Sequence, residues 1–188
     1  DRDDTRCRVD EAAALVPAEP GEQWICWCGL NDESDALAAA IPGALVVEGA
    51  MSPDEKADRL ERFARGDARV LVTKCAIAGF GLNLQRCARM VFVGLGDSYE
   101  QYFQAIRRCW RFGQTRAVHA HVVLTDLEEP IYANVLRKER DAEAMGAALV
   151  RHVAAFERAE IGKLDDQAGD YRPTKEMRLP PWLRERAA

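Results

Sequence analysis

The sequence is short of the features that would settle a function at once. It has no stretch approaching the roughly 18 apolar residues of a membrane span. The opening segment, Asp1–Asp10, is charged and carries no apolar signal core, so a cytoplasmic protein is expected. None of the six cysteines stands in a C-x-x-C pair. Reduced, mostly buried thiols are the expectation. His119 and His121 share a face of an expected strand without further ligands nearby. No G-x-x-x-x-G-K-[ST] loop is present, and the lone Gly162-Lys163 pair lacks both the first glycine and the hydroxyl. Asp32-Glu33-Ser34-Asp35 has the look of a magnesium-binding acidic box but reads better as an acidic helix cap. Basic excess is missing too. A formal net charge of −5 argues against a chain that coats nucleic acid along its whole surface.

What is present is a core. Apolar residues make up 48 % of the 188 positions, enough for one compact domain and an extension. Residues 1–22 are polar and proline-containing and are expected to be a linker. From there strands and helices alternate. Strands are expected at Gln23–Cys28, Ala44–Val47, Arg69–Thr73, Arg89–Val93 and Val118–Leu124. Helices are expected over Asn31–Ala40, from Ser52 to about Ala64, and from Ser98 to about Phe112. Ser52-Pro53-Asp54-Glu55 is a capping box with proline at the first helical position, and Ser98-Tyr99-Glu100-Gln101 is a second box. This alternation predicts an α/β fold with a mostly parallel sheet flanked by helices over 23–125.

A long helical extension over 126–162 follows. Its apolar stripe (Ile131, Val135, Ala142, Met145, Leu149, Val153, Phe156) runs about 39 Å at about 1.5 Å per residue, longer than one sheet face can cover. Its distal half is therefore expected to pack on the irregular Pro/aromatic tail at 163–188, on another lobe, or on a second copy.

Charge is distributed unevenly. Between Tyr102 and Thr125 stand four arginines (Arg107, Arg108, Arg111, Arg116) and no carboxylate. On a helix turning about 100° per residue, Tyr99, Tyr102, Phe103, Ile106 and Trp110 fall on one face, expected to anchor on the sheet. Gln101, Gln104, Arg107, Arg108 and Arg111 fall on the other. Guanidinium groups set this way suit a planar, bidentate grip on phosphate. A solvated basic face is the plain alternative, but no acid at i±4 screens the C-terminal arginines.

Gln104, Ala105, Arg108, Arg111, Gly113 and Gln114 match the motif VI pattern Q-A-x-x-R-x-x-R-x-G-Q. The segment resembles the C-terminal RecA-like lobe of Swi/Snf-like superfamily 2 helicases and translocases. Thr73-Lys74 followed by Gly79-Phe80-Gly81-Leu82-Asn83-Leu84 is similar to motif V of that family, with Cys75–Ala78 as extra residues. The resemblance runs from about Trp24 to Leu124. The family's W-N-P before motif VI is absent at Val93–Ser98, which points to a bacterial or phage-type branch.

The resemblance implies that Arg108 and Arg111 are arginine fingers for ATP, and that Gln104, Gly79, Gly81 and Asn83 line the ATP cleft. It implies that Thr73 and Lys74 touch DNA; Arg107, outside the matched positions, is a DNA or surface residue. ATP and Mg²⁺ would sit on an N-terminal RecA-like lobe, supplied by an earlier part of a longer chain or by another polypeptide. A catalytically inert lobe serving as a protein-interaction module is the competing reading, and a free-standing nucleotide-binding domain is disfavoured by the missing phosphate loop.

Overall fold

A computed structural model describes residues 2–77, 83–96 and 98–168. The elements run in order α1 (Arg2–Ala18), β1 (Trp24–Cys28), α2 (Asn31–Ala40), β2 (Leu45–Val47), α3 (Pro53–Arg65), β3 (Val70–Lys74), β4 (Arg89–Val93), α4 (Tyr99–Ile106), β5 (His119–Val123) and α5 (Glu129–Ala168). A 3-10 turn, Asp126–Glu128, precedes α5. The five strands form one parallel sheet in the order β2-β3-β1-β4-β5. Each expected strand is present within a residue or so of its expected ends.

The central strand explains the architecture. All five residues of β1 are buried, as a parallel strand covered on both faces requires. Alternate side chains serve two separate cores. Ile25 and Trp27 join Leu71, Met90 and Phe92 beneath α3, α4 and the root of α5, where Leu60, Phe63, Ala105, Cys109 and Val135 close the layer. Trp24, Cys26 and Cys28 join Val70, Val72, Val91 and Val93 beneath α1 and α2, where Val9, Ala12, Val16, Leu37 and Ile41 close it.

Helix ends follow local chemistry. The Ser52 hydroxyl accepts from the Glu55 N–H, while the Glu55 carboxylate accepts from the Ser52 N–H. Gly66, at φ 94°, ends α3 with its N–H returning to Phe63. At α2 the cap role falls to a buried carboxylate: Glu33 accepts from the N–H groups of Gly29 and Leu30, at 2.9 and 3.0 Å.

Two expectations need correction. Residues 2–18 are not a linker but helix α1, whose Val9, Ala12 and Val16 are buried on the sheet. The apolar positions recur at helical spacing, but charged residues crowd the first ten positions and Asp10 and Glu11 separate Val9 from Ala12, so composition alone hides them. The long helix also begins with Glu129 and continues to Ala168, beyond residue 162.

The chain divides into two units, Asp1–Arg140 and Asp141–Ala188. In the first, Val135 is buried and Tyr132 packs on the core. In the second, Met145, Leu149, Val153 and Phe156 are exposed. Tyr171 and Trp182, proposed partners of that stripe, lie outside the described residues. Among the described residues no helix is long and apolar enough to cross a membrane.

Candidate functional site

The connections after β1 and β4 leave in opposite directions, so a crevice opens beyond the carboxyl ends of these two strands. A cleft of about 400 Å³ occupies that position, with Gly29 and Leu30 after β1, Lys74 and Cys75 at the end of β3, and Gly94 and Leu95 after β4 in its walls. Lys74, half-buried, is thus placed on a cleft. Its neighbour Thr73 is not. Thr73 is fully buried, and its hydroxyl donates to the Val47 carbonyl at 3.0 Å. Its side chain fastens β2 to β3 and is not exposed.

Arg8 enters the same cleft from α1 and went unrecognised in the sequence. Its guanidinium bridges Glu33 at 2.6 Å and Glu128 at 2.7 Å, and only 12 % of its side chain is exposed. Burial works against its charge, yet the two carboxylates more than offset this and raise its pKa above the ordinary arginine value. For Glu128, burial again opposes ionisation. The Thr125 N–H and hydroxyl and the Arg8 guanidinium prevail, holding the carboxyl below the usual range. One ionic cluster thereby ties α1, the start of α2 and the turn leading into α5. Nothing in the local sequence around Arg8 announces a partner 25 residues away.

The arginine-bearing segment differs from the expected helix. α4 stops at Ile106, and Arg107 is its cap. Beyond it the backbone tightens: the Arg108 N–H donates to Ala105 and the Cys109 N–H to Ile106, each three residues back. The cause lies elsewhere in the chain. The Arg108 carbonyl accepts from the Leu84 N–H at 3.0 Å, and Cys109 is drawn into the core, where its hydrogen bond to Cys87 and then burial push its thiol pKa up. Turning Cys109 inward turns Trp110 outward. Trp110 is 55 % exposed and does not anchor the helix; Ala105 and Cys109 do, with Tyr99, Tyr102 and Ile106 partly buried against the core. Arg107 packs over Phe103 and Trp110, 5.4 and 5.9 Å from the ring centres.

Gly113 and Gln114 close the turn for structural reasons. Gly113 takes φ 93°, where a side chain is strained, and an added Cβ would stand 3.0 Å from the Gln85 amide nitrogen. The Gln114 amide nitrogen faces three carbonyls, those of Gln85 (2.7 Å), Cys109 (3.2 Å) and Cys87 (3.3 Å), while its oxygen accepts from the Arg116 N–H at 3.1 Å. Two of the motif's six matched residues, Gly113 and Gln114, are therefore a clamp.

The clamp gathers part of the expected site. Asn83 is exposed, and its side-chain oxygen accepts from the Gln85 N–H. Through Leu84 and Gln85 that segment is joined to the turn holding Arg108 and Arg111. Arg108 is half-buried, while Arg111, Gln104 and Arg107 are exposed. Gly79 and Gly81 lie outside the described residues. Among the described residues no group of three or more His, Cys, Asp or Glu side chains could hold a metal ion.

A family model described as "Helicase conserved C-terminal domain" matches residues 9–113, beginning inside α1 and ending in the arginine turn. No curated protein matches. Among solved structures, the C-terminal part of the Fun30 ATPase domain superposes with a TM-score of 0.61 at 19 % identity, covering 68 % of this chain and 44 % of that one. The C-terminal domain of the DEAD-box protein Dbp5 superposes with a TM-score of 0.60 at 16 % identity, covering 71 % and 79 %. At such identities the likeness establishes the fold, that of a RecA-like helicase C-terminal lobe. The chain spans less than half the length of the first of these structures.

Proposed function

Because the chain belongs to the helicase conserved C-terminal domain family, we propose that it is the second motor lobe of an ATP-dependent DNA helicase or translocase of the Swi/Snf-like kind. Its partner is an N-terminal RecA-like lobe that carries ATP and Mg²⁺. Bound there, ATP supplies the phosphoanhydride whose cleavage drives the motor. Arg108 and Arg111 reach its phosphates and offset the charge that builds up as the γ-phosphoryl transfers. Gln104 and Asn83 border the ATP cleft between the two lobes. Lys74 and Arg107 meet the DNA backbone.

The observation that carries this reading is the pinning of the arginine turn. A guanidinium assists phosphoryl transfer only if it arrives preorganised. Here the turn is fixed by the Leu84–Arg108 backbone bond, by buried Cys109 and by the Gln114 clamp. A specific observation also favours the alternative of an inert interaction module, namely the exposed Met145, Leu149 and Phe156.

Arg111→Ala and Arg108→Ala in the full-length protein decide between them. The motor reading expects DNA-stimulated hydrolysis to fall by about 10³-fold or more with an unchanged fold, as loss of an arginine finger does elsewhere. Near wild-type turnover in both variants refutes the finger assignment. A wild-type protein that never hydrolyses ATP supports the inert module.

A further inference from the structure

Among the described residues, four charged side chains line the cleft beyond β1 and β4: Arg8, Glu33, Lys74 and Glu128. Two cations face two carboxylates, but the pairing is uneven. Arg8 takes both carboxylates, at 2.6 and 2.7 Å. Each carboxylate is satisfied further by its own loop. Glu33 accepts from the Gly29 and Leu30 N–H groups, and Glu128 from the Thr125 N–H and hydroxyl.

Lys74 is the remainder. It is half-buried at the end of β3, and among the described residues it has no ion-pair partner. A half-buried ammonium without a counter-ion is costly unless water or an anion reaches it. A lysine stem is flexible enough to serve carboxylates that share its cleft. The guanidinium holds them instead because its fork reaches two at once. Arg8 is itself too enclosed to meet a ligand, with 12 % of its side chain exposed and both carboxylates on its terminal nitrogens.

We propose that Arg8 is a positioning residue for Lys74: by occupying Glu33 and Glu128 it keeps the ammonium unmatched, and so makes the cleft select a phosphate of the nucleic-acid backbone. The inference rests on the reading of Lys74 as a DNA contact. It adds what leaves Lys74 available, and it gives α1, which lies outside both motifs, a part in choosing the ligand.

The charge count makes the idea testable by sign. Glu128→Gln leaves two cations against one carboxylate. Arg8→Met leaves one cation against two carboxylates, which are then free to draw Lys74 in. Both substitutions break the same tether between α1 and the turn before α5. A purely structural role therefore predicts that both weaken DNA binding or that neither does. The charge role requires opposite signs.

Fluorescence anisotropy of the 188-residue chain with a short labelled duplex at low salt measures this. The expected result is binding tightened roughly three- to tenfold in Glu128→Gln and weakened by a similar factor in Arg8→Met, both changes fading as salt rises. Lys74→Ala weakens binding and lowers the slope of log K against log salt by about one unit. If Arg8→Met unfolds under assay conditions, Glu128→Gln still decides, because a broken tether cannot produce a gain. Weaker or unchanged binding in Glu128→Gln overturns the proposal, and so does a folded Arg8→Met that binds as tightly as wild type. A wild-type chain that ignores the duplex, or a Lys74→Ala variant that binds like wild type, refutes the DNA contact itself and this inference with it. Lys74→Ala thus tells the two failures apart.

Discussion

Replacing Gln114 with alanine tests whether this side chain is a structural clamp. Its amide nitrogen has two hydrogens for three carbonyls, so two good bonds and a shared third are the most it can make. Its oxygen adds a bond from the Arg116 N–H. A net hydrogen bond contributes about 1 kcal/mol, and a buried carbonyl left without a donor costs about 1–3 kcal/mol. Two of the three carbonyls belong to buried cysteines, but Gln114 itself is only half-buried, so water recovers part of the loss. The expected destabilisation is about 2–3 kcal/mol, which for a chain of this size lowers Tm by about 5–10 °C. Urea unfolding followed by far-ultraviolet circular dichroism measures it. Gln114→Glu sharpens the test, because a carboxylate has no donor to offer and would face three carbonyls; it should destabilise more than alanine at neutral pH. A Gln114→Ala loss under 0.5 kcal/mol, or a Gln114→Glu variant as stable as wild type, refutes the clamp.

Other consequences can be measured on the same chain. Glu128 has a folded pKa below the ordinary carboxylate value, so its contribution to stability is present above that value and is lost as pH falls through the lower folded one. The urea midpoint should hold from pH 7 to 5 and drop below about pH 4, with a smaller drop in Glu128→Gln; identical profiles would contradict the Arg8–Glu128 tether. Arg8→Met leaves two carboxylates without their cation and should cost about 2–4 kcal/mol, less than a fully buried pair because Arg8 and Glu128 keep some solvent. Burial pushes the thiols of Cys26 and Cys75 up to about 12 and that of Cys28 up to about 11, whereas Cys7 is exposed. Titration with a chromogenic disulfide at pH 8 should therefore show one fast thiol in the native chain, and three or more fast thiols would contradict the burial.

The sheet was readable because its signals are local. Five short apolar runs between turn residues give the strands, and Ser52-Pro53-Asp54-Glu55 writes the start of α3 into four consecutive positions. Where local and distant preferences compete, the sequence misleads. A helix through Trp110 and Phe112 has good periodicity, but the Leu84 N–H captures the Arg108 carbonyl and Cys109 buries beside Cys87, so the last turn is remade by residues more than twenty positions away. The motif around the arginines was matched by pattern; the reason Gly113 and Gln114 stand in it became legible only with their neighbours in view. Thr73 illustrates the opposite error. The resemblance to motif V implied a DNA contact for Thr73, yet its side chain is buried and its hydroxyl donates to the Val47 carbonyl.

The placement of β1 between β3 and β4 has a consequence for how the chain comes into being. Trp24–Cys28 is an uncharged run of five residues made before both of its hydrogen-bonding partners, residues 70–74 and 89–93. During synthesis this strand has both edges open until those later segments emerge, a long-range pairing of the kind that folds slowly. In that interval it is the part of the chain best suited to pair with a neighbour instead. α1 and α2 flank it in sequence and cover its Trp24, Cys26 and Cys28 side in the finished fold, so they can shelter one face of it from the start. Helices α1 and α2, unlike the partner strands, are neighbours of β1 in the chain and so are at hand to cover one of its faces before β3 and β4 exist.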